Sequence, residues 1–443
     1  MHKKLLATLL CSSVGVFSLP ALADNLQSVY QLATQKDPVL QRAAANRDAA
    51  VARIDISKAS LLPTIGFSTS LTRADQRDWT FGDDRTTLSG GVRLSQSIYD
   101  RRNWQALNIA EKQALQAQTF YNSTAQALIV RVTDAYFNVL KAKDDLTFIQ
   151  AEKRSIERQL EQTKQRFAVG LTAITDVHEA QAQFDNAIAR EIATENNLEI
   201  AREQLREITG QYHSKLAGLN TDRFSTAPLS PADPQQWLSI AEENNFELQA
   251  QRIGLEIARI DIDRARAGHL PTVSLEANLN SSKTRGYFDN TFTDRGTGPR
   301  QDSSSIGVTL SVPLYSGGAI NAGVNVAQAN FVETSELVEQ TYRSTVRQVR
   351  SSFNNVRATK SSIRALEQAV VSAESALKAT EAGFEVGTRT IVDVLQSTRN
   401  LFDARRNLSR ARYDYILSVL DLKLASGNLT EQDLVDINRA LGS

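Results

Sequence analysis

The sequence has almost no cysteine, and this shortage excludes several kinds of protein. Cys11 is the only cysteine among 443 residues. One cysteine forms no internal disulfide and no zinc–thiolate site. The four histidines do not have the spacing of an HExxH zinc motif, and no GxSxG, P-loop or GxGxxG sequence occurs. We therefore predict that the protein is not an enzyme and has no metal site or cofactor.

The chain also lacks an excess of charge. Its 50 basic and 50 acidic residues cancel, which argues against nucleic acid as a partner. Beyond the N terminus, no run approaches the ~18 apolar residues of a membrane-spanning helix. The N terminus has the form of a secretory signal, with basic Lys3 and Lys4, an apolar segment and Ala-Leu-Ala at 21–23. We predict that residues 1–23 are removed and that the mature chain begins at Asp24.

Glycine and proline are absent from two long stretches, Leu94–Val169 and Val324–Ala382. Apolar or small residues recur there at alternating three- and four-residue steps, which predicts coiled-coil helices. The seam of the first helix contains one charged residue, Lys153. A helix of ~60 residues at ~1.5 Å per residue is ~90 Å long, so the chain builds rods rather than a globule.

An internal repeat relates the two halves of the chain. A Phe-x-Val-Gly turn, with its glycine at Gly170 or Gly387, is followed six residues later by Asp176 or Asp393. Both pairs are 217 positions apart. A second helix follows each turn, so each half contains a helical hairpin with its tip at the glycine. We predict that each half runs helix, two strands, long helix, hairpin.

Four segments alternate apolar with small polar residues, at 62–71, 88–99, 273–279 and 306–314. The alternation is typical of membrane β-barrel strands and also of soluble sandwich strands. The number of strands decides between them. Lipid tolerates no open sheet edge, and about 8 strands are the smallest barrel that closes. We therefore predict a barrel shared between chains, in which three chains give twelve strands.

With these features the chain resembles the TolC family of outer-membrane efflux ducts. The resemblance extends from 37–50 to 424–434 and is most specific at 385–395. It implies a mainly α protein with membrane β: a homotrimer whose four strands per chain form one twelve-stranded barrel in outer-membrane lipid. The helices would continue this barrel as a coiled-coil tube through the periplasm. The implied partners are a periplasmic adaptor protein and an inner-membrane pump.

The repeat and the resemblance divide the chain into five segments. A single shorter helix, at roughly 25–60 and 235–267, precedes the strands of each repeat. The segments are a signal peptide at 1–23, a first repeat at 24–211, an equatorial linker at 212–240, a second repeat at 241–427 and an equatorial tail at 428–443.

The resemblance implies a gate at the periplasmic end, closed by polar bonds between neighbouring helices. By motif, Arg389 would bond to Thr175 and Asp176 across a helix interface, and Asp393 would line the pore. A ring of such carboxylates favours cations. From the residues alone, a simpler interpretation is that Arg389 and Asp393 pair with each other on a solvated surface.

Two positions depart from the family's pattern. The family typically has tyrosine at the position of Phe384, so a hydrogen bond from that hydroxyl is missing from this gate. It often has a second pore aspartate at the position of Gln396. The ring then holds three carboxylates rather than six, which predicts weaker cation selectivity and weaker block by multivalent cations.

The hairpin tips are a second candidate site. Apolar residues at a hairpin tip either pack the turn or form a surface on which adaptor hairpins dock. At the end of the tube far from the membrane, these tips are where the resemblance places the adaptor. The candidate docking residues are Val169, Gly170, Leu171, Val386, Gly387 and Thr388.

We therefore predict an outer-membrane channel-tunnel, gated at its periplasmic end. It would export drugs, proteins or both as the exit duct of a tripartite efflux or type I secretion system. The alternative is a trimeric coiled-coil surface scaffold or adhesin without a pore. A scaffold needs neither four alternating strands nor matched hairpin turns.

Overall fold

The computed structural model describes residues 24–77, 82–221, 224–226, 229–287, 295–297 and 299–441. The predicted signal peptide at 1–23 lies outside the described residues. The elements in chain order are α1 Leu26–Lys36, α2 Pro38–Ala59, β1 Thr64–Arg77, β2 Gly82–Tyr99, α3 Arg101–Ala168, α4 Ile174–Thr209, α5 Pro234–Asn244, α6 Phe246–Arg266, a 3₁₀ turn Ala267–His269, β3 Thr272–Tyr287, β4 Arg295–Thr297, β5 Gln301–Ser311, α7 Ala319–Glu385, α8 Ile391–Ala425 and α9 Glu431–Ala440.

The two halves have the same order of elements, as the repeat predicts. Helices α3 and α7 have 68 and 67 residues, so each is about 100 Å long at 1.5 Å per residue. Each is followed by a shorter antiparallel helix, α4 or α8, and the two pairs form the predicted hairpins. Within the part of the chain that the structure describes, no helix is both long and apolar enough to cross a membrane.

The single helices predicted at 25–60 and 235–267 are wrong, since each is broken into two. A side chain that caps the following helix makes each break. The Asp37 carboxylate accepts from the Leu40 N–H at 2.8 Å, and the Asn245 amide oxygen accepts from the Leu248 N–H at 2.9 Å. Both caps satisfy N–H groups that have no partner within their own helix.

Strands β1, β2, β3 and β5 form one antiparallel sheet in that order. The short β4 pairs with the far end of β3, on the side where β5 pairs, so it prolongs the same ladder. The chain therefore contributes four long strands, as predicted. In the described residues β1 and β5 each pair on one side only, which makes them the two edges.

Alternating residues give the sheet an apolar and a polar face. On the apolar face Phe67, Val92 and Leu279 lie in register on three neighbouring strands, and all three are exposed in the single chain. On the polar face the next row contains Arg93 and Asn278, whose side chains are hydrogen-bonded at 3.0 Å. An exposed apolar face opposite a polar face is the pattern of a sheet with lipid on one side and water on the other.

The main hydrophobic core lies at the middle of the long helices. Tyr136 and Phe137 of α3 are fully buried there, and the Tyr136 hydroxyl donates to the Ala217 carbonyl at 2.8 Å. Leu216 from the segment predicted as a linker and Leu434 from the predicted tail are buried in the same core. These two segments therefore pack around the middle of the rod rather than at either end.

Candidate functional site at the hairpin tips

The two hairpin turns have the same backbone geometry. Gly170 has φ +76° and Gly387 has φ +79°, in the left-handed region that side chains disfavour. In both turns the N–H of the residue after the glycine bonds to the carbonyl five residues earlier, at 2.8 and 2.9 Å. This bond closes the end of the preceding helix in the Schellman pattern. The sequence repeat is thus a repeat of structure.

The apolar tip residues do not pack the turns. Val169, Leu171 and Val386 are 71%, 69% and 75% exposed. Thr388 differs from them, because its hydroxyl donates to the Gly383 carbonyl at 3.1 Å and so belongs to the turn. Each hairpin therefore presents apolar side chains to its surroundings at its tip.

Asp393 lies in the first turn of α8, where it forms a capping box with Thr390. The Asp393 N–H donates to the Thr390 hydroxyl at 3.3 Å, and the Thr390 N–H donates to the Asp393 carboxylate at 2.9 Å. The Thr390 N–H, followed by its hydroxyl, holds the pKa of Asp393 below its usual range. The carboxylate is therefore charged and fixed in place. The sequence signal for this role, Thr-x-x-Asp at 390–393, is that of a capping box.

Asp176 occupies the equivalent position of α4 but has different partners. The helix begins after Ala173, which has no side-chain acceptor, so no reciprocal box forms. The Asp176 carboxylate instead accepts from the hydroxyl of Thr172. Within the described chain, no hydrogen bond or ion pair joins Arg389 to Thr175, to Asp176 or to Asp393.

Arg389 lies against α7 because residue 383 is glycine. A Cβ atom at Gly383 would be 2.8 Å from Cγ of Arg389, which is closer than real contacts allow. The position equivalent to Gly383 in the first repeat is Arg166, and its guanidinium lies 4.7 Å from the centre of the Phe384 ring. Phe384 therefore lacks a hydroxyl but has a cation–π partner.

Phe384 also packs on a small buried cluster that joins the two hairpins. The ring contacts a core drawn from α3, α4 and α8, which keeps the tips together. The buried members of the cluster are Ile156, Leu160, Ala180, Ala187, Ile391, Val394 and Leu395.

Gln396 is exposed, and its amide donates to Asn400 of the same helix at 2.9 Å.

Comparisons with known proteins agree with this architecture. The sequence profile of the family described as outer membrane efflux protein matches residues 29–211 and again 237–428. Outer membrane protein TolC of Vibrio cholerae is 46% identical over 99% of both chains. Alkaline protease secretion protein AprF of Pseudomonas aeruginosa is 30% identical over 94% of this chain and 86% of its own.

Solved structures show the same fold. The Campylobacter jejuni CmeC outer membrane channel matches with a TM-score of 0.76 at 18% identity, over 95% of this chain and 90% of that chain. Paired helical hairpins that continue a two-faced sheet are the fold of these outer membrane channels. The chain belongs to the outer membrane efflux protein family.

The predicted family, channel fold, outer-membrane location and role in efflux are thereby confirmed. Its relatives are transport proteins rather than enzymes. The gate and docking residues remain predictions.

Proposed function

We propose that three copies of this chain form one gated duct, through which drugs or proteins leave the periplasm. The observation that carries the proposal is the sheet with one open edge on β1 and one on β5. Unpaired backbone groups are not tolerated in lipid. Pairing β5 of one copy with β1 of the next satisfies both edges, and the four strands of one chain are too few, since about 8 are needed to close a barrel. Two copies reach that minimum, and the family resemblance implies three. Three copies supply twelve.

The helical hairpins give this duct its reach. With 68 residues, α3 places its tip about 100 Å from the sheet at 1.5 Å per residue. A sheet in the outer membrane thus leaves the tips deep in the periplasm. The two repeats, 24–211 and 241–427, form the wall of the tube in this proposal. The linker at 212–240 and the tail at 428–443 form an equatorial belt around its middle, where Leu216 and Leu434 are buried.

The tips suit a protein partner. Val169, Leu171 and Val386 are exposed apolar groups at the end of a rod, and the trimer presents six such tips. Such groups dock favourably on the apolar face of another helical hairpin. The partner in this proposal is a periplasmic adaptor, which joins the duct to a pump in the inner membrane. The name of AprF concerns protease secretion, which supports protein as one class of cargo.

The gate belongs at the same end. In the single chain the guanidinium of Arg389 attracts the Asp393 carboxylate of its own hairpin electrostatically, while Asp176 lies on the other hairpin. The trimer brings a further set of α4 helices beside α8. We place the bond from Arg389 to Thr175 and Asp176 there, with Asp393 facing the pore.

The test uses protein extracted from outer membranes in detergent. A heat-modifiable trimer that forms pores in planar bilayers supports the duct, whereas a water-soluble monomer contradicts it. A trimer without pores would favour the coiled-coil scaffold or adhesin. A deletion strain tested for drug sensitivity and for loss of secreted protein together then separates the two classes of cargo.

A further inference from the structure

A charged layer interrupts the coiled-coil seam between the tips and the middle of the tube. Lys153 is the charged residue in the seam of α3, and its neighbour Glu152 is completely buried. Carboxylates are almost never buried unless they are paired. Glu152 is 18 residues from the tip glycine Gly170, or about 27 Å along the helix at 1.5 Å per residue. The layer is therefore separate from the tip gate.

Helix α4 of the same hairpin supplies the first partner of the buried carboxylate. Arg190 donates to Glu152 from both terminal nitrogens, at 2.7 and 3.4 Å. Lys153 pairs with Glu191 beside it. In one pair the acid lies on α3, and in the adjacent pair it lies on α4. A shift of one helix by one residue would therefore bring like charges together, so the two pairs fix the register of α3 against α4.

The second partner comes from the other hairpin. Nη2 of Arg406 on α8 lies 3.7 Å from the Glu152 carboxylate, and its Nε lies 3.8 Å from Asp145, also on α3. Both nitrogens are buried and have no hydrogen-bond partner among the described residues. Only Nη1 has a close partner, Asp403 of its own helix at 3.2 Å. The attraction of Arg406 to Glu152 and Asp145 is thus Coulombic, whereas other residues of α8 are hydrogen-bonded to α3, among them Tyr413 to Asp144 at 3.0 Å.

Buried donors without acceptors are unfavourable, so this arrangement favours movement. A relative shift of α3 and α8 by about 0.8 Å brings Arg406 within hydrogen-bond distance of both carboxylates. A shift the other way leaves Glu152 with Arg190 alone. A displacement of α8 in either direction therefore changes the electrostatic environment of the buried Glu152 carboxylate.

The internal repeat shows that the charges are not needed to build a hairpin. At the positions equivalent to Glu152 and Arg190, the second repeat has Ala369 and Asn407. Its hairpin forms nevertheless, with α7 and α8 of nearly the same lengths as α3 and α4. The second hairpin has ion pairs of its own, such as Arg405–Glu374, but no buried carboxylate among its described residues.

We propose that Glu152, Arg190 and Arg406 form a latch between the two hairpins, which positions α8 against α3 and thereby holds the tip gate closed. The latch deepens the proposed function, because it requires a duct whose hairpins separate on opening. Arg406 is a positioning residue, since it acts on the pore through the placement of α8.

The test compares neighbouring arginines of one helix. Arg406→Gln removes the attraction of α8 to the buried Glu152 carboxylate and leaves the other α3–α8 bonds in place. Arg405→Gln is the matched control, because Arg405 pairs with Glu374 on α7 inside its own hairpin. Glu152→Gln is a second test variant, because it removes the buried charge with little change of shape. We expect several-fold higher planar-bilayer conductance for Arg406→Gln and Glu152→Gln, and wild-type conductance for Arg405→Gln.

A structural readout accompanies the conductance. Ser409 of α8 donates to Asp144 of α3 at 2.7 Å, so a cysteine at each position reports their separation by crosslinking. Crosslinking yield should fall in both latch variants and persist in the Arg405 control. Wild-type conductance and crosslinking in both latch variants would overturn the latch. If the wild-type protein forms no pores, the proposed duct is wrong. If conductance rises in Arg389→Ala but not in Arg406→Gln, the latch is wrong and the duct stands.

Discussion

The N–H and the hydroxyl of Thr390 are both hydrogen-bonded to the Asp393 carboxylate, each at 2.9 Å. The residue proposed to line the pore thus also starts helix α8. This double role fixes the carboxylate in space, so in the proposed trimer three copies give a ring of defined radius. In that proposal a substitution at 393 changes both the charge of the pore and the end of the helix.

The cap predicts opposite effects of two matched substitutions. Thr390→Ala removes the cap of α8 and should destabilise its first turn by about 1 kcal/mol. Ala173→Thr introduces a cap at the equivalent position of α4 and should therefore stabilise the first turn of α4. Hydrogen exchange of the first-turn amides measures both effects. Equal protection in Thr390→Ala and wild type would show that the box does not stabilise α8.

The same box predicts a dependence on pH. Folding lowers the pKa of Asp393, so its stabilising contribution is present above the unfolded pKa, which is about 3.9 for aspartate. The contribution is lost as the pH falls through the lower folded pKa. Protection factors at the start of α8 should therefore fall in acid for the wild type. Asp393→Asn should lose this acid dependence; a parallel decline in both proteins would refute the assignment.

Gly383 predicts a second route to the open gate. A Cβ at this position clashes with the stem of Arg389, so we expect both Gly383→Ala and Arg389→Ala to raise conductance in planar bilayers. Gly323→Ala is the control, because nothing lies within 4 Å of its Cβ position on the same helix. Unchanged conductance in Arg389→Ala would show that the gate assignment is wrong. An effect of Gly323→Ala equal to that of Gly383→Ala would remove the steric argument.

Gln396 predicts the sensitivity of the pore to multivalent cations. Its side chain is exposed one helical turn beyond Asp393 and bonds only to Asn400. Gln396→Asp should add a second ring of three carboxylates and strengthen block, because a denser anionic ring binds cations more tightly. Gln396→Asn is the neutral control. Equal block in Gln396→Asp and wild type would show that residue 396 does not face the pore.

The tips predict loss of efflux without loss of assembly. A charge at Gly387 should abolish efflux, but its φ of +79° means that any side chain there also strains the turn. Val386→Glu is the sharper variant, since Val386 is exposed and has an ordinary φ of −88°. Val386→Ser tests the effect of a polar side chain without charge. Gly387→Ala tests the effect of backbone strain without charge. Normal drug resistance in a strain with trimeric Val386→Glu would exclude the tip as the docking surface.

Much of the architecture follows from the sequence because it depends on local periodicity. The 217-residue repeat, the stretches without glycine or proline and the alternating strands each predict an element that the structure contains. The break at Asp37 was also readable, because Asp-Pro is a cap followed by a first-turn proline. The break at Asn245 has no proline after it, and its asparagine is recognised only by the bond to Leu248.

The sequence by itself determined the rods, the turns and the two-faced strands, since these are set by spacings of two to seven residues. Only the tertiary structure decided which distant residues meet. Arg406 reaches Glu152 across 254 positions, and Gly383 makes room for Arg389 only because the chain turns back at Gly387. Such contacts depend on how the hairpins pack, and no local pattern contains that information.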